Sequence, residues 1–146
     1  MCQSEILINS YMSTNSETIL PSQTHVGDSS VQSLTGNPFK GDGFYGRSDG
    51  LHTVQVNLIG FIGKIEIQGT LEVNPVESDW FTVELGTGAQ SIDTTGLITE
   101  QNITQVEYTS PATNSKTYNF IGNYVWIRTK ISEWTDGTVH SIKLNH

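Results

Sequence analysis

The sequence predicts an all-β fold: an antiparallel β-sandwich of jelly-roll-like character with an extended N-terminal arm. Three observations carry this. From Leu51 onward, apolar residues recur at every second position, the period of a half-buried strand, and no stretch shows a capped 3.6-residue stripe. Clusters of Gly, Asp, Asn, Ser and Pro punctuate these runs at short intervals, which fits roughly seven or eight short strands. Hydrophobic residues make up only 35% and charged residues 15% of the 146 residues, and 14 glycines with abundant Ser, Thr, Asn and Gln fill the difference. That mixture favours strands and turns over helices.

Residues 1–40 read as the arm. Polar clusters at Ser13–Ser16 and Gly27–Ser30 separate short apolar pieces, Ile6-Leu7-Ile8, Ile19-Leu20-Pro21 and Val31. None of these is long enough to build a core, so the segment orders by lying on another surface, either its own domain or a neighbouring subunit. Ile6, Leu7, Ile8, Ile19, Leu20 and Val31 are therefore the candidate partner-binding residues. Deletion of residues 1–35 is expected to leave a folded domain and to weaken docking.

Residues 41–146 read as the sandwich domain. Its entry, 41–50, is dense in turn formers with Phe44 and Tyr45 interleaved, a compact loop pinned by aromatics. Val54, Val56 and Leu58 alternate with polar neighbours. Ile65, Ile67, Gly69, Leu71 and Val73 form the clearest alternating run. Gly60 and Gly63 between these two sets predict a hairpin. Phe81, Val83 and Leu85 form another set, and 86–96 reads as a loop. Ile103, Val106 and Tyr108 mark a weaker strand, Tyr118 and Phe120 the next. Val125, Ile127, Thr129 and Ile131 alternate with Tyr124, Trp126, Arg128 and Lys130. Asp136-Gly137 is a turn signal before a closing strand from Val139 to Leu144. Edge strands of such sheets are usually covered, and the arm is the natural cover.

Charge and motifs exclude several function classes. A net charge of −8 without a basic stripe argues against nucleic acid and anionic membrane as partners. One cysteine, Cys2, leaves no internal disulfide and no cysteine-based zinc cluster. The N-terminus lacks a signal-peptide pattern, so synthesis in a cytoplasm is expected. His25, His52, His140 and His146 stand far apart with no metal-ligand spacing, and His52 reads as a turn-stabilising residue within reach of Asp42 or Asp49. Glu77 and Asp79 beside Trp80 could serve as a glycosidase pair, but an acidic loop is the better reading. The expectation is therefore no catalytic residues, no metal ligands and no cofactor. Trp80, Tyr124 and Trp126 remain as aromatics for a glycan site or a subunit interface, with Tyr124 and Trp126 on one strand face beside Arg128 and Lys130.

Three blocks carry a resemblance. They are Gly41-Asp42-Gly43-Phe44-Tyr45-Gly46-Arg47-Ser48-Asp49-Gly50-Leu51-His52-Thr53; Leu71-Glu72-Val73-Asn74-Pro75-Val76-Glu77-Ser78-Asp79-Trp80-Phe81; and Asn119 to Arg128, with Gly137-Thr138-Val139 after it. Together they resemble the small β-sandwich virion proteins of tailed bacteriophages, of the T4-like cyanophage type. The resemblance covers residues 41–146 and leaves the arm without a counterpart. It implies a structural role in the virion, as a capsid decoration (cement) protein or a neck or tail accessory bridging neighbouring subunits. It also implies other virion proteins as partners and a homo-oligomer, with a trimer suggested by context. It brings no catalytic residues. A glycan-binding adhesion module on tail or capsid is the alternative.

Overall fold

The computed structural model describes residues 16–146. Ile6, Leu7 and Ile8 lie outside the described residues. The chain forms β1 (Glu17–Leu20), β2 (Gln23–Thr24), β3 (Gln32–Thr35), β4 (Phe39–Lys40), β5 (Leu51–Thr70), β6 (Phe81–Thr82), β7 (Leu85–Ile92), β8 (Ile98–Ile103), β9 (Val106–Ile121) and β10 (Trp126–Asn145). A single 3₁₀ turn, Glu77–Asp79, interrupts the strands. Every pairing is antiparallel, along the path β1-β10-β5-β9-β7-β8, and the architecture is an all-β sandwich.

The central strands are longer than a domain of this size can hold straight. β5 and β10 each run for 20 residues, and 20 residues at strand rise would span about 66 Å. Both therefore bend around one core. The bend is built from bulges. Leu58 and Phe61, three residues apart, both point inward, while Ile59 between them is exposed. The β5–β9 register shifts on either side of Phe61, and the β5–β10 register shifts on either side of Asp136. Gly60 (φ +60°) and Gly137 (φ +85°) stack backbone on backbone here: a Cβ on Gly137 would sit 2.1 Å from the Gly60 carbonyl oxygen. Only glycine allows that approach with a left-handed φ.

The sequence expectation of a hairpin at 60–63 and a turn at 136–137 is thus corrected. Both glycine sites bend a continuous strand. Two further corrections follow. The strand containing Ile65 and Ile67 ends at Thr70, so Leu71 and Val73 stand exposed on the loop after it. Residues 85–103 form the β7–β8 hairpin, where a loop was expected over 86–96; its turn is closed by Asp93, whose carboxylate accepts from the Thr95 and Leu97 amides.

The core gathers Val54, Val56, Phe61, Ile65 and Ile67 of β5 with Ile127, Ile131, Trp134, Val139, Ile142 and Leu144 of β10, plus Val106, Tyr118 and Phe120 of β9. The described part of the arm, residues 17–40, runs along the free edge of β10. β1 pairs at Ile142–Leu144, β2 at Thr138–Val139, β3 at Lys130–Trp134 and β4 at Trp126–Ile127. It covers the edge of its own chain. Ile19 and Leu20 accordingly sit in the chain's own core, 1% and 3% exposed, where no partner can reach them. Val31 stands 65% exposed.

Candidate functional site

The three aromatics singled out in the sequence go to three places. Tyr124 precedes β10, so strand alternation does not extend to it, and it does not share a face with Trp126. Its ring packs over Gly69 and Gly122, where a Cβ would clash at 2.9 and 2.5 Å, and beside Phe120 and Phe81. Trp126 lies against Phe44, 5.1 Å between centroids, and its indole N–H donates to the Val73 carbonyl at 2.9 Å. Trp80 stacks on the Arg128 guanidinium at 4.3 Å.

Arg128, placed by strand alternation beside Trp126, is buried. It donates through Nη1 and Nη2 to the Glu77 carboxylate (3.1 and 2.7 Å) and through Nε to Gln68 Oε1 (2.7 Å). The hydrogen bonds from Arg128 hold the Glu77 carboxyl below its ordinary range. Asp79 accepts the Val76 amide at 2.8 Å. Glu77 and Asp79 thus anchor the 71–80 loop; they do not face each other across a cleft.

A cleft of about 660 Å³ lies between the β7–β8 hairpin and the end of β9. Tyr124, Phe120 and Leu51 provide its apolar part; Thr82, Gln90, Gln101, Asn102 and Asn119 line it with amides and hydroxyls. Its size falls within that of small-ligand sites, about 300–1,000 Å³.

A second cluster lies under the 41–50 loop. The loop is clamped to 122–125: the Gly43 amide donates to the Tyr124 carbonyl (2.9 Å), Gly41 to Val125 (3.0 Å), and Gly122 to the Gly50 carbonyl (3.0 Å). A Cβ at Gly43 would lie 2.1 Å from the Asn123 carbonyl oxygen, so the approach requires glycine. The clamp buries Asp42 against His52, at the head of β5, and His146, just past β10. His146 Nδ1 lies 2.7 Å and His52 Nε2 4.0 Å from Asp42 Oδ1. The His52 Nδ1–H donates to the Gly50 carbonyl at 2.7 Å, which turns the Nε2 lone pair toward Asp42, where it accepts the Asp42 amide at 3.3 Å. His52 stacks face to face on Phe120 and beside His146. Burial pushes the pKa of the His52 imidazole below its ordinary range. Burial pushes the Asp42 carboxyl up, but the hydrogen bonds with His146 and Asp49 and the neighbouring imidazoles outweigh it and leave the group lowered. Arg47 reaches Asp42 Oδ1 at 3.4 Å from solvent, and Glu17 Oε1 lies 3.5 Å from His146 Nε2.

The sequence offered no metal-ligand spacing, yet the fold places Asp42, His52 and His146 with donor atoms within 4.8 Å of one another. The signal within reach was the short Asp42-to-His52 spacing; His146 arrives from 104 residues beyond Asp42. His25 is separate, donating Nε2–H to the Ser30 carbonyl and accepting the Gly27 amide. No helix among the described residues is long and apolar enough to cross a membrane.

No protein-family model matches the chain, and a search of curated proteins finds no match. Among solved structures, the chain is similar to the SPBc2 prophage-derived protein YomS, with 13% identity, a TM-score of 0.45, and coverage of 90% of this chain and 94% of that one. It is also similar to a family 29 carbohydrate-binding module from Piromyces equi, with 9% identity, a TM-score of 0.41 and 92% coverage of each chain.

Proposed function

We propose that this chain is a non-catalytic structural component of a tailed-phage particle, a decoration protein or a neck or tail accessory that docks across neighbouring subunits as a homo-oligomer. The observation that carries the reading is a contiguous apolar rim. Phe44, Tyr45, Leu71 and Val73 are 41–67% exposed, and Phe44, Trp126 and Val73 are joined through the Trp126 contacts. Exposed apolar side chains grouped in this way mark interaction surfaces. The rim is supplied by the first two blocks of the phage-virion resemblance together with Trp126 of the third. The clamp of 41–50 on 122–125 and the Arg128–Glu77 anchor hold it rigid, which lowers the entropy lost on docking. Immunogold labelling of intact purified particles with an antibody to residues 51–146 tests the reading. Gold over the head shell supports decoration, and gold at the neck or tail supports the accessory role. Particles that carry no gold while the lysate contains the protein overturn both.

One observation favours the second reading, a glycan-binding module. The 660 Å³ cleft presents Gln90, Gln101, Asn102 and Asn119 around Tyr124, the amides and ring face that sugar hydroxyls and C–H faces need. Glycan-array binding that Asn102→Ala abolishes supports it, and an array without signal overturns it.

A further inference from the structure

We propose that Asp42, His52 and His146 form a binding site for one divalent transition-metal ion of the zinc type, which staples the 41–50 loop, the head of β5 and the end of β10 together. The donor set is one carboxylate and two imidazoles, the chemistry that suits such ions. The separations from Asp42 Oδ1, 2.7 Å to His146 and 4.0 Å to His52, lie on either side of the spacing of about 3.3 Å between ligands of a tetrahedral ion with bonds near 2.0–2.1 Å, and the three donor atoms lie within 4.8 Å of one another, so the imidazoles close in as the ion binds. All three side chains are at most 3% exposed. The His52 Nδ1–H bond to the Gly50 carbonyl is the arrangement that orients a ligating histidine, with the opposite nitrogen turned to the ion. A hollow of about 260 Å³ lined by Glu17, Tyr45, Arg47 and His146 leads from solvent to the cluster and gives an ion a way in.

Several existing contacts give way when the ion binds. The 3.3 Å bond from the Asp42 amide to His52 Nε2 and the 2.7 Å bond between His146 Nδ1 and Asp42 Oδ1 are replaced by metal bonds, and Arg47 Nη1 moves off Asp42 and off His146 Nδ1, which it meets at 3.3 Å. Arg47 lies 39% exposed, so it can swing into solvent. It competes with the ion for the same carboxylate oxygen, which separates a metal site from a hydrogen-bonded cluster that needs Arg47 in place.

The test uses the untagged full-length chain, stripped with a chelator and titrated calorimetrically with Zn²⁺ alone. One ion per chain is expected. Removing a ligand costs more than removing a residue that only orients one, so affinity is expected to fall by more than about 100-fold in His146→Gln. Arg47→Ala is expected to tighten binding. No saturable binding by the wild-type chain, or His146→Gln binding as tightly as wild type, overturns the proposal. Should His146→Gln fail to fold by circular dichroism, the Co²⁺ complex of the wild-type chain decides. Intense visible bands of a tetrahedral site support the proposal, and weak octahedral bands overturn it.

Discussion

Gly137→Ala tests the bent pair of strands at its tightest point. The added Cβ would meet the Gly60 carbonyl oxygen at 2.1 Å, the Gly60 carbonyl carbon at 2.3 Å and Phe61 Cα at 2.6 Å. All three are backbone atoms, so no flexible side chain can yield. The left-handed φ of +85° adds a penalty of about 1–2 kcal/mol for any residue with a Cβ. Separating the two bulges adds about 1–3 kcal/mol, the usual cost of overpacking. The sum, about 2–5 kcal/mol, is a large part of a stability that lies near 5–15 kcal/mol for ordinary domains. Gly46→Ala is the control: Gly46 has a φ of +72°, but nothing lies within 4 Å of its added Cβ, so only the backbone penalty remains. At about 4 °C per kcal/mol for a chain of this length, Gly137→Ala is expected to lower Tm by roughly 8–20 °C and Gly46→Ala by roughly 4–8 °C. Thermal unfolding followed by tryptophan fluorescence reads both, since Trp134 is buried beside Phe61 at the bend. Equal losses in the two variants would refute the paired-bulge account.

Three other perturbations have clear outcomes. Arg128→Ala removes the charged donor to buried Gln68 and the cation over Trp80, and is expected to cost about 2–3 kcal/mol of unfolding free energy measured with denaturant; Arg128→Lys should not restore it, because the fork to Glu77 is lost. Burial pushes the Tyr118 phenol up to about 12, so its contribution is complete below the ordinary tyrosine range and is lost as pH rises from there toward 12; Tyr118→Phe should flatten the alkaline limb of a Tm-against-pH curve. Deleting residues 1–35 removes β1–β3 together with Ile19 and Leu20. The expectation is therefore a destabilised chain that associates through the bared β10 edge in light scattering, not the intact domain expected when the segment is taken as a detachable arm; a monodisperse truncation with unchanged Tm would refute it.

Much of the fold was legible in local pattern. Side chains alternate across a strand whatever lies around it, so Val54, Val56, Ile65, Ile67, Ile127 and Ile131 declared an inward face, and all are buried. The aromatic sites were less legible. Trp126 and Tyr124 are two residues apart, as one strip would require, but Tyr124 lies before β10 begins and fills the space above Gly69 and Gly122. Arg128 shares a strand face with Trp126, and a carboxylate, an amide and an indole cover it there.

The sequence by itself determined the strand period, the all-β class, the acidic surface and the positions where the backbone could depart from a straight strand. Tertiary structure decided what each departure does. Gly60 and Gly137 bend their strands without reversing them because each bulge faces the other across the β5–β10 ladder, a fact no local window contains. The same holds for Ile19 and Leu20 of the arm, which found their partner surface on β10 of their own chain, and for Asp42, His52 and His146. Their chemistry depends on distances across a buried cluster, and such distances exist only after non-local strands have paired.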